Sequence, residues 1–258
     1  MQDEAGLDLP ELTLRSIEHY FAREGEELPD VDEALLYDYV VSREFVLVRT
    51  CCSGVEACFP VGVNYEHLSG LQSVPPYIFW DYPRVPVQLV SDMLKIGRDI
   101  SSSKDTEALF HLSWQPPTAA DRLALAATAI SSGEGWVLEY PEQHATGGGV
   151  RPIQTGAGSS AARSIIEVHT HPFDEAAFSE IDDRDEQRGV KVYAVMGFIH
   201  DRPQMRARLG VYGHYMELPS RNFFELPEAL TCVHASHKAN DAWLQIHSGV
   251  TTQTSNES

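Results

Sequence analysis

Along the first 84 residues the spacing of apolar positions changes character once. In ELTLRSIEHYFARE (11–24), Leu12, Leu14, Ile17, Tyr20 and Phe21 recur at roughly helical intervals, which predicts a helix, and the acidic GEELPDVDE after it reads as a loop. The stretch LLYDYVVSREFVLVRTCCSGVEACFPVGV is instead dense in Val, Phe and Tyr, with Ser53-Gly54 as a turn, and predicts a β-meander. SVPPYIFWDYPRVP (73–86) then carries Pro75, Pro76, Pro83 and Pro86 and keeps no period. A domain boundary is expected there, with residues 1–84 forming a small β-rich N-terminal accessory domain.

From residue 85 helical and strand patterns alternate. VQLVSDMLKIGRDI sets Leu89, Met93, Ile96 and Ile100 on one helical face, with SSSKDT as its exit. EALFHLSW (107–114) alternates Ala108, Phe110, Leu112 and Trp114, a strand with Glu107 at its entrance. ADRLALAATAI (120–130) predicts a second helix by its Ala and Leu content, and WVLEY (136–140) a strand after Gly133 and Gly135. HATGGGVRPIQTGAGSSAAR reads as a Gly/Ser/Ala-rich loop, either a lid or a long connection. SIIEVHTH is a strand; beyond residue 225 a helix over 229–246 and a disordered end are expected. The fold class this predicts is α+β (mixed α/β), a curved sheet flanked by helices over 85–225, with 226–258 as a C-terminal helix and tail.

Composition narrows the partners. The 258 residues are 43% apolar, enough for a core, and carry a formal net charge of −19, which argues against a phosphate backbone as ligand. No apolar run approaches the roughly 18 residues that span a bilayer, and MQDEAGLDLPEL lacks the basic start and apolar stretch of a signal peptide. A cytoplasmic protein with neither nucleic-acid nor membrane partners is the expectation. Cys51, Cys52, Cys58 and Cys232 are too few and too irregular for a disulfide framework, and CCSGVEAC matches no common zinc-knuckle spacing. They read as reduced thiols, three of them around a hairpin turn.

The chemistry concentrates in EVHTHPFDEAAFSEIDDRDE (167–186). Alternation along a strand aims His169 and His171 the same way and Thr170 the other, so two imidazoles can converge on one ion. A catalytic zinc usually takes three protein ligands. After Pro172 turns the chain, a helix begun at Ser179 projects Asp182 from its first turn, where the helix dipole favours a carboxylate. Each half alone has a plainer reading: S-x-x-D is a common capping box, and His-x-His occurs on ordinary strands. The two together at a set distance are far more specific.

HTHPFDEAAFSEID resembles the JAMM (MPN-plus, Jab-type) metalloprotease signature H-x-H-P-x6-S-x-x-D at every position. The likeness extends over residues 85 to 220: a helix, Glu107 opening a strand, the His strand, then VKVYAVMGFI and ARLGVYGHYMEL. More narrowly, AFSEIDDRDEQRG, YAVMGF and WVLEYPEQ are similar to Jab-domain members of bacterial PRTRC systems, found beside ubiquitin-like and E1-like proteins. The resemblance implies a cytidine-deaminase-like core and a Zn²⁺ ion held by His169, His171 and Asp182. It also implies a glutamate that takes the proton of the attacking water and a serine, Ser179, that donates to the oxyanion. Glu107 matches the family's placement of that glutamate; Glu134 and Glu139 are rivals, because Ala108-Leu109-Phe110-His111 departs from the small residues and glycine that often follow it.

The implied function is a zinc-dependent peptidase or isopeptidase acting on a ubiquitin-like protein or its conjugate, with E1-like or E2-like proteins of the same system as further partners. An extended C-terminal tail could be read by strand addition, with the 144–163 loop as a clamp. The alternative is a catalytically silent MPN-type scaffold for protein association, which the complete ligand set disfavours. An amidohydrolase barrel would need more chain after the motif. His111, His144, His234 and His237 stay outside the site, as does most of the acidic run 182–186.

Overall fold

The Val-, Phe- and Tyr-rich segments pair as their alternation predicts. The computed structural model describes residues 17–31, 35–52, 54–64, 68–115, 129–133, 135–234 and 246–248. Strands β1 (Ile17–Phe21), β2 (Tyr37–Val41), β3 (Phe45–Cys52), β4 (Val55–Val63) and β5 (Tyr77–Trp80) lie side by side in that order. The β3–β4 hairpin turns at Gly54, whose φ of +73° suits glycine, and carries Cys51, Cys52 and Cys58 on its two strands.

Helix α1 (Val87–Lys104) follows, buried along Leu89, Val90, Met93, Leu94, Gly97 and Ser101. It outruns the expected exit at the serine run because Ser101 is buried, its Oγ 2.6 Å from His200 Nε2. It ends where Asp105 adopts a left-handed φ of 53°.

Then come β6 (Leu109–Trp114), β7 (Ala129–Gly133), β8 (Trp136–Glu139), β9 (Gln143–Thr146), β10 (Gly149–Pro152), the short helix α2 (Ser160–Arg163) and β11 (Ile166–His171). Helix α3 (Glu180–Asp185), β12 (Val190–Gly197), β13 (Gln204–Val211), β14 (His214–Leu218), β15 (Thr231–Cys232) and β16 (Ile246–Ser248) complete the described elements. The second sheet runs β14-β13-β12-β11-β6-β8-β7, with β15 on β13 and β11 parallel to β12. β9 and β10 form a separate antiparallel hairpin. The architecture is mixed α+β. Among the described residues no helix is long and apolar enough to cross a membrane.

One apolar cluster joins both sheets and the helix: Val48, Phe59, Ile78 and Trp80 meet Leu89 and Met93 of α1 and Phe110, Val168 and Ala194 of the second sheet. Tyr82 sits between the sheets, its ring centroid 5.1 Å from Trp80, 6.3 Å from Trp114 and 6.0 Å from Trp136. α1 therefore covers one face of β6, β11 and β12, and the opposite face is left for the site.

Four expectations differ from the structure. Ile17–Phe21, inside the predicted 11–24 helix, is a strand parallel to β2, because Ile17, His19 and Phe21 also alternate at period two and main-chain pairing decides; residues 11–16 lie outside the described residues. Of the predicted helix 120–130, residues 120–128 lie outside the described residues and Ala129–Gly133 is strand, paired with β8. The 144–163 loop contains β10 and α2. In the predicted helix 229–246, Thr231–Cys232 joins β13 and Ile246–Ser248 joins β5, while 235–245 and the end expected to be disordered, 249–258, lie outside the described residues.

Candidate metal centre

Strand β11 divides its side chains between core and site. Val168 and Thr170 are fully buried toward α1, while Glu167, His169 and His171 share the other face. The His169 and His171 Nε2 atoms stand 3.2 Å apart. His171 Nδ1 lies 3.1 Å from the carbonyl oxygen of Glu175, so that nitrogen carries the proton and Nε2 presents its lone pair. This return of the chain after Pro172 depends on Gly197 of β12, opposite His171 in the ladder: a Cβ there would sit 2.1 Å from the Ala176 amide nitrogen.

Helix α3 brings the third candidate ligand. Ser179 Oγ accepts from the Asp182 amide at 3.2 Å, and Asp182 Oδ2 accepts from the Ser179 amide at 2.6 Å, a complete capping box. The box engages Oδ2 and leaves Oδ1 facing His169 Nε2 at 3.4 Å. Burial pushes the His169 imidazole below its ordinary range, with Asp182 partly opposing. Burial alone would raise the Asp182 carboxyl, but His169 and the Ser179 hydrogen bonds hold it below the usual carboxylate range. A neutral imidazole and an ionised carboxylate are the forms that ligate metal.

These three side chains are the one group of potential metal ligands found among the described residues, their ligand atoms all within 4.8 Å. Two atoms each about 2.1 Å from a tetrahedral ion stand about 3.4 Å apart. The 3.2 and 3.4 Å separations match that spacing, so one ion could be held by these atoms. The set of two nitrogens and one oxygen fits zinc with a fourth position open.

Glu107 lies at the same end of the sheet, its Oε1 3.9 Å from His171 Nε2 and its side chain buried. Burial, then the Asp182 and Asp174 carboxylates, push its carboxyl up to about 8. The main chain around it is held from both sides. Ala108 N donates to Thr170 Oγ1 at 2.9 Å and Thr170 N to Ala108 O at 3.0 Å; on the other flank Glu107 N donates to Thr146 O at 3.1 Å.

Of the rival glutamates, Glu139 is buried on β8 and takes two hydrogen bonds from Arg163, at 3.0 and 3.3 Å, and Glu134 lies outside the described residues. His111 shares the site face but is buried against Ser160, its Nδ1 2.8 Å from Oγ. His144 and His234 are not in the cluster, and His237 lies outside the described residues.

A cleft of about 560 Å³ adjoins the cluster, walled by β10, α2 and α3. His169 and Asp182 line it together with Val150, Ile181, Glu167 and Lys191. Arg151 of β10 spans to Asp185 of α3 at 2.7 Å. Sequence reasoning brings together His169, His171, Asp182, Ser179 and Glu107. It misses the supports: Thr170, whose hydroxyl between two histidines was a usable signal, and Gly197 and the Glu175 carbonyl, which depend on chain crossings no local pattern reveals. Neither a protein-family model nor a curated protein matches the chain.

Proposed function

We propose that the chain is a zinc-dependent peptidase or isopeptidase with a JAMM-type core, acting on a ubiquitin-like protein or its conjugate. The observation that carries this reading is the convergence of His169, His171 and Asp182, with the Glu107 carboxylate 3.9 Å from His171, at the end of a cleft. His169, His171 and Asp182 are the residues that would hold the ion. Bound there, zinc would supply Lewis acidity and lower the pKa of water.

With a cation at the cluster favouring its ionised form, Glu107, whose one ion partner among the described residues is His171, would take the proton of the attacking water and hand it to the leaving amine. Its main-chain ties to Thr170 and Thr146 hold it at the cluster's edge. Ser179 Oγ accepts from the Asp182 amide, and its proton, given at rest to the Asp182 carboxylate, turns to the oxyanion of a tetrahedral intermediate. Capping and catalysis are therefore compatible in one hydroxyl. The outer edge of β10, which pairs only with β9 among the described residues, offers main-chain groups to an extended C-terminal tail. E1-like and E2-like proteins of the same system, in the cytoplasm, are the partners this reading names.

The test is cleavage of a ubiquitin-like protein fused through its C-terminus to a reporter, by zinc-loaded wild type, Glu107→Gln and His171→Ala, with metal content measured on all three. Cleavage by wild type, zinc retained but turnover lost in Glu107→Gln, and zinc lost in His171→Ala are expected. A wild type that binds no zinc would favour the silent scaffold instead.

A further inference from the structure

Strand β6 pairs with β8 only from His111, opposite Glu139, to Trp114, opposite Trp136. Continuing that register sets Leu109 opposite Pro141, and proline has no N–H to give. The backbone groups of Leu109 point to this side, since those of Ala108 and Leu112 are used by the β11 side, through Thr170 and Ile165. The side chain of Gln143 fills the gap. Its Oε1 accepts from Leu109 N at 2.8 Å, and its Nε2 donates to Leu109 O at 3.4 Å and to Pro141 O at 3.1 Å. One amide thus stands in for a strand residue at the point where the sheet runs out.

Leu109 is two residues from Glu107, and the next backbone group on the same flank, Glu107 N, is taken by Thr146 at the other end of β9. Resting on the peptidase reading above, we infer that Gln143 is a positioning residue for Glu107. Its carboxamide completes the β6 ladder and so aims the Glu107 carboxylate at the cluster. Gln143 does this through Leu109 and Pro141, with no hydrogen bond to His169, His171 or Asp182 among the described residues.

The experiment compares wild type, Gln143→Met, Gln143→Glu and Glu107→Gln. Methionine keeps the length without hydrogen bonds; glutamate keeps an acceptor for Leu109 N and loses the donor. Zinc content, NMR amide exchange at Glu107, Leu109 and Val168, and kcat and KM are read on the same samples. In Gln143→Met, exchange at Leu109 should rise at least roughly tenfold while Val168 is unchanged. Zinc should be retained, and kcat should fall roughly 10- to 100-fold at constant KM. Gln143→Glu should fall between. Unchanged Leu109 exchange, or unchanged kcat beside an inactive Glu107→Gln, overturns the inference and leaves the peptidase reading standing. A Glu107→Gln as active as wild type overturns both.

Discussion

Thr170 and Ala108 exchange two hydrogen bonds that differ in kind: the Thr170 amide donates to the Ala108 carbonyl at 3.0 Å, and the Ala108 amide donates to the Thr170 hydroxyl at 2.9 Å. The residue between the two histidines is thereby joined to the residue after Glu107. Beyond the last ladder pair of β6 and β11, His169 with Leu109, this exchange carries their join to the residue beside Glu107.

Thr170→Val keeps the shape and orphans the buried Ala108 amide. A loss of about 1–3 kcal/mol in denaturant unfolding is expected, with Thr170→Ser closer to wild type because the acceptor remains. Equal loss in the two variants would assign the effect to packing, where α1 presses close: a Cβ on Gly97 would stand 3.0 Å from Thr170 Cγ2.

Gly197→Ala drives a methyl into the Ala176 and Glu175 main chain, at 2.1 and 2.3 Å. The loop must lift, and the Glu175 carbonyl leaves His171 Nδ1. Zinc affinity should fall roughly 10- to 100-fold, as for other losses of a ligand's outer partner. Competition with a calibrated chelator measures it; wild-type affinity would show that the loop does not orient His171.

Asp182 divides its two oxygens between helix and cluster, so the roles can be separated. Asp182→Asn retains an acceptor for the Ser179 amide and should leave α3 in place while zinc binding is largely lost. Ser179→Ala should cost about 1 kcal/mol of stability through the lost cap. Its turnover should drop roughly 100-fold or more if the hydroxyl serves the oxyanion, with zinc retained. Metal titrations and melts of the two variants check this; a Ser179→Ala that loses zinc as Asp182→Asn does would make the serine only a support for the ligand.

The convergence of His169, His171 and Asp182 was legible in the sequence because each depends on local rules. Alternation converges His169 and His171, and S-x-x-D starts a helix with a carboxylate in its first turn. Glu107 was legible as a strand entrance, but what holds its strand was not: Gln143 bonds Leu109 from 34 residues further along the chain. Ile17, Tyr20 and Phe21 satisfied helical spacing while Ile17, His19 and Phe21 satisfied strand spacing, and only pairing with Tyr37–Val41 chose between them. The C-terminal segment was misread for the same reason, since β15 and β16 are stabilised by strands far earlier in the chain.

His111 makes stability pH-dependent apart from the cluster. Burial pushes its imidazole down to about 4, with the Glu167 carboxylate partly opposing, and its Nε2 has no hydrogen-bond partner among the described residues. Below its ordinary value of 6.5 the unfolded chain binds a proton that the folded chain refuses. Stability from this group is therefore present above 6.5 and lost as pH falls toward 4, by on the order of 3 kcal/mol. His111→Asn, which can still reach Ser160, should flatten that part of the urea-derived stability curve; an unaltered slope would sink the assignment.

The aromatic contact at the seam of the two sheets gives the molecule an optical gauge of its own. Trp80 belongs to the first sheet, Trp114 and Trp136 to the second, and Tyr82 bridges them, with the two second-sheet indoles 5.5 Å apart. Near-ultraviolet circular dichroism of these rings contains the Trp80–Tyr82 contact at the seam beside the Trp114–Trp136 pair within the second sheet, so parting of the seam changes the spectrum without any attached dye.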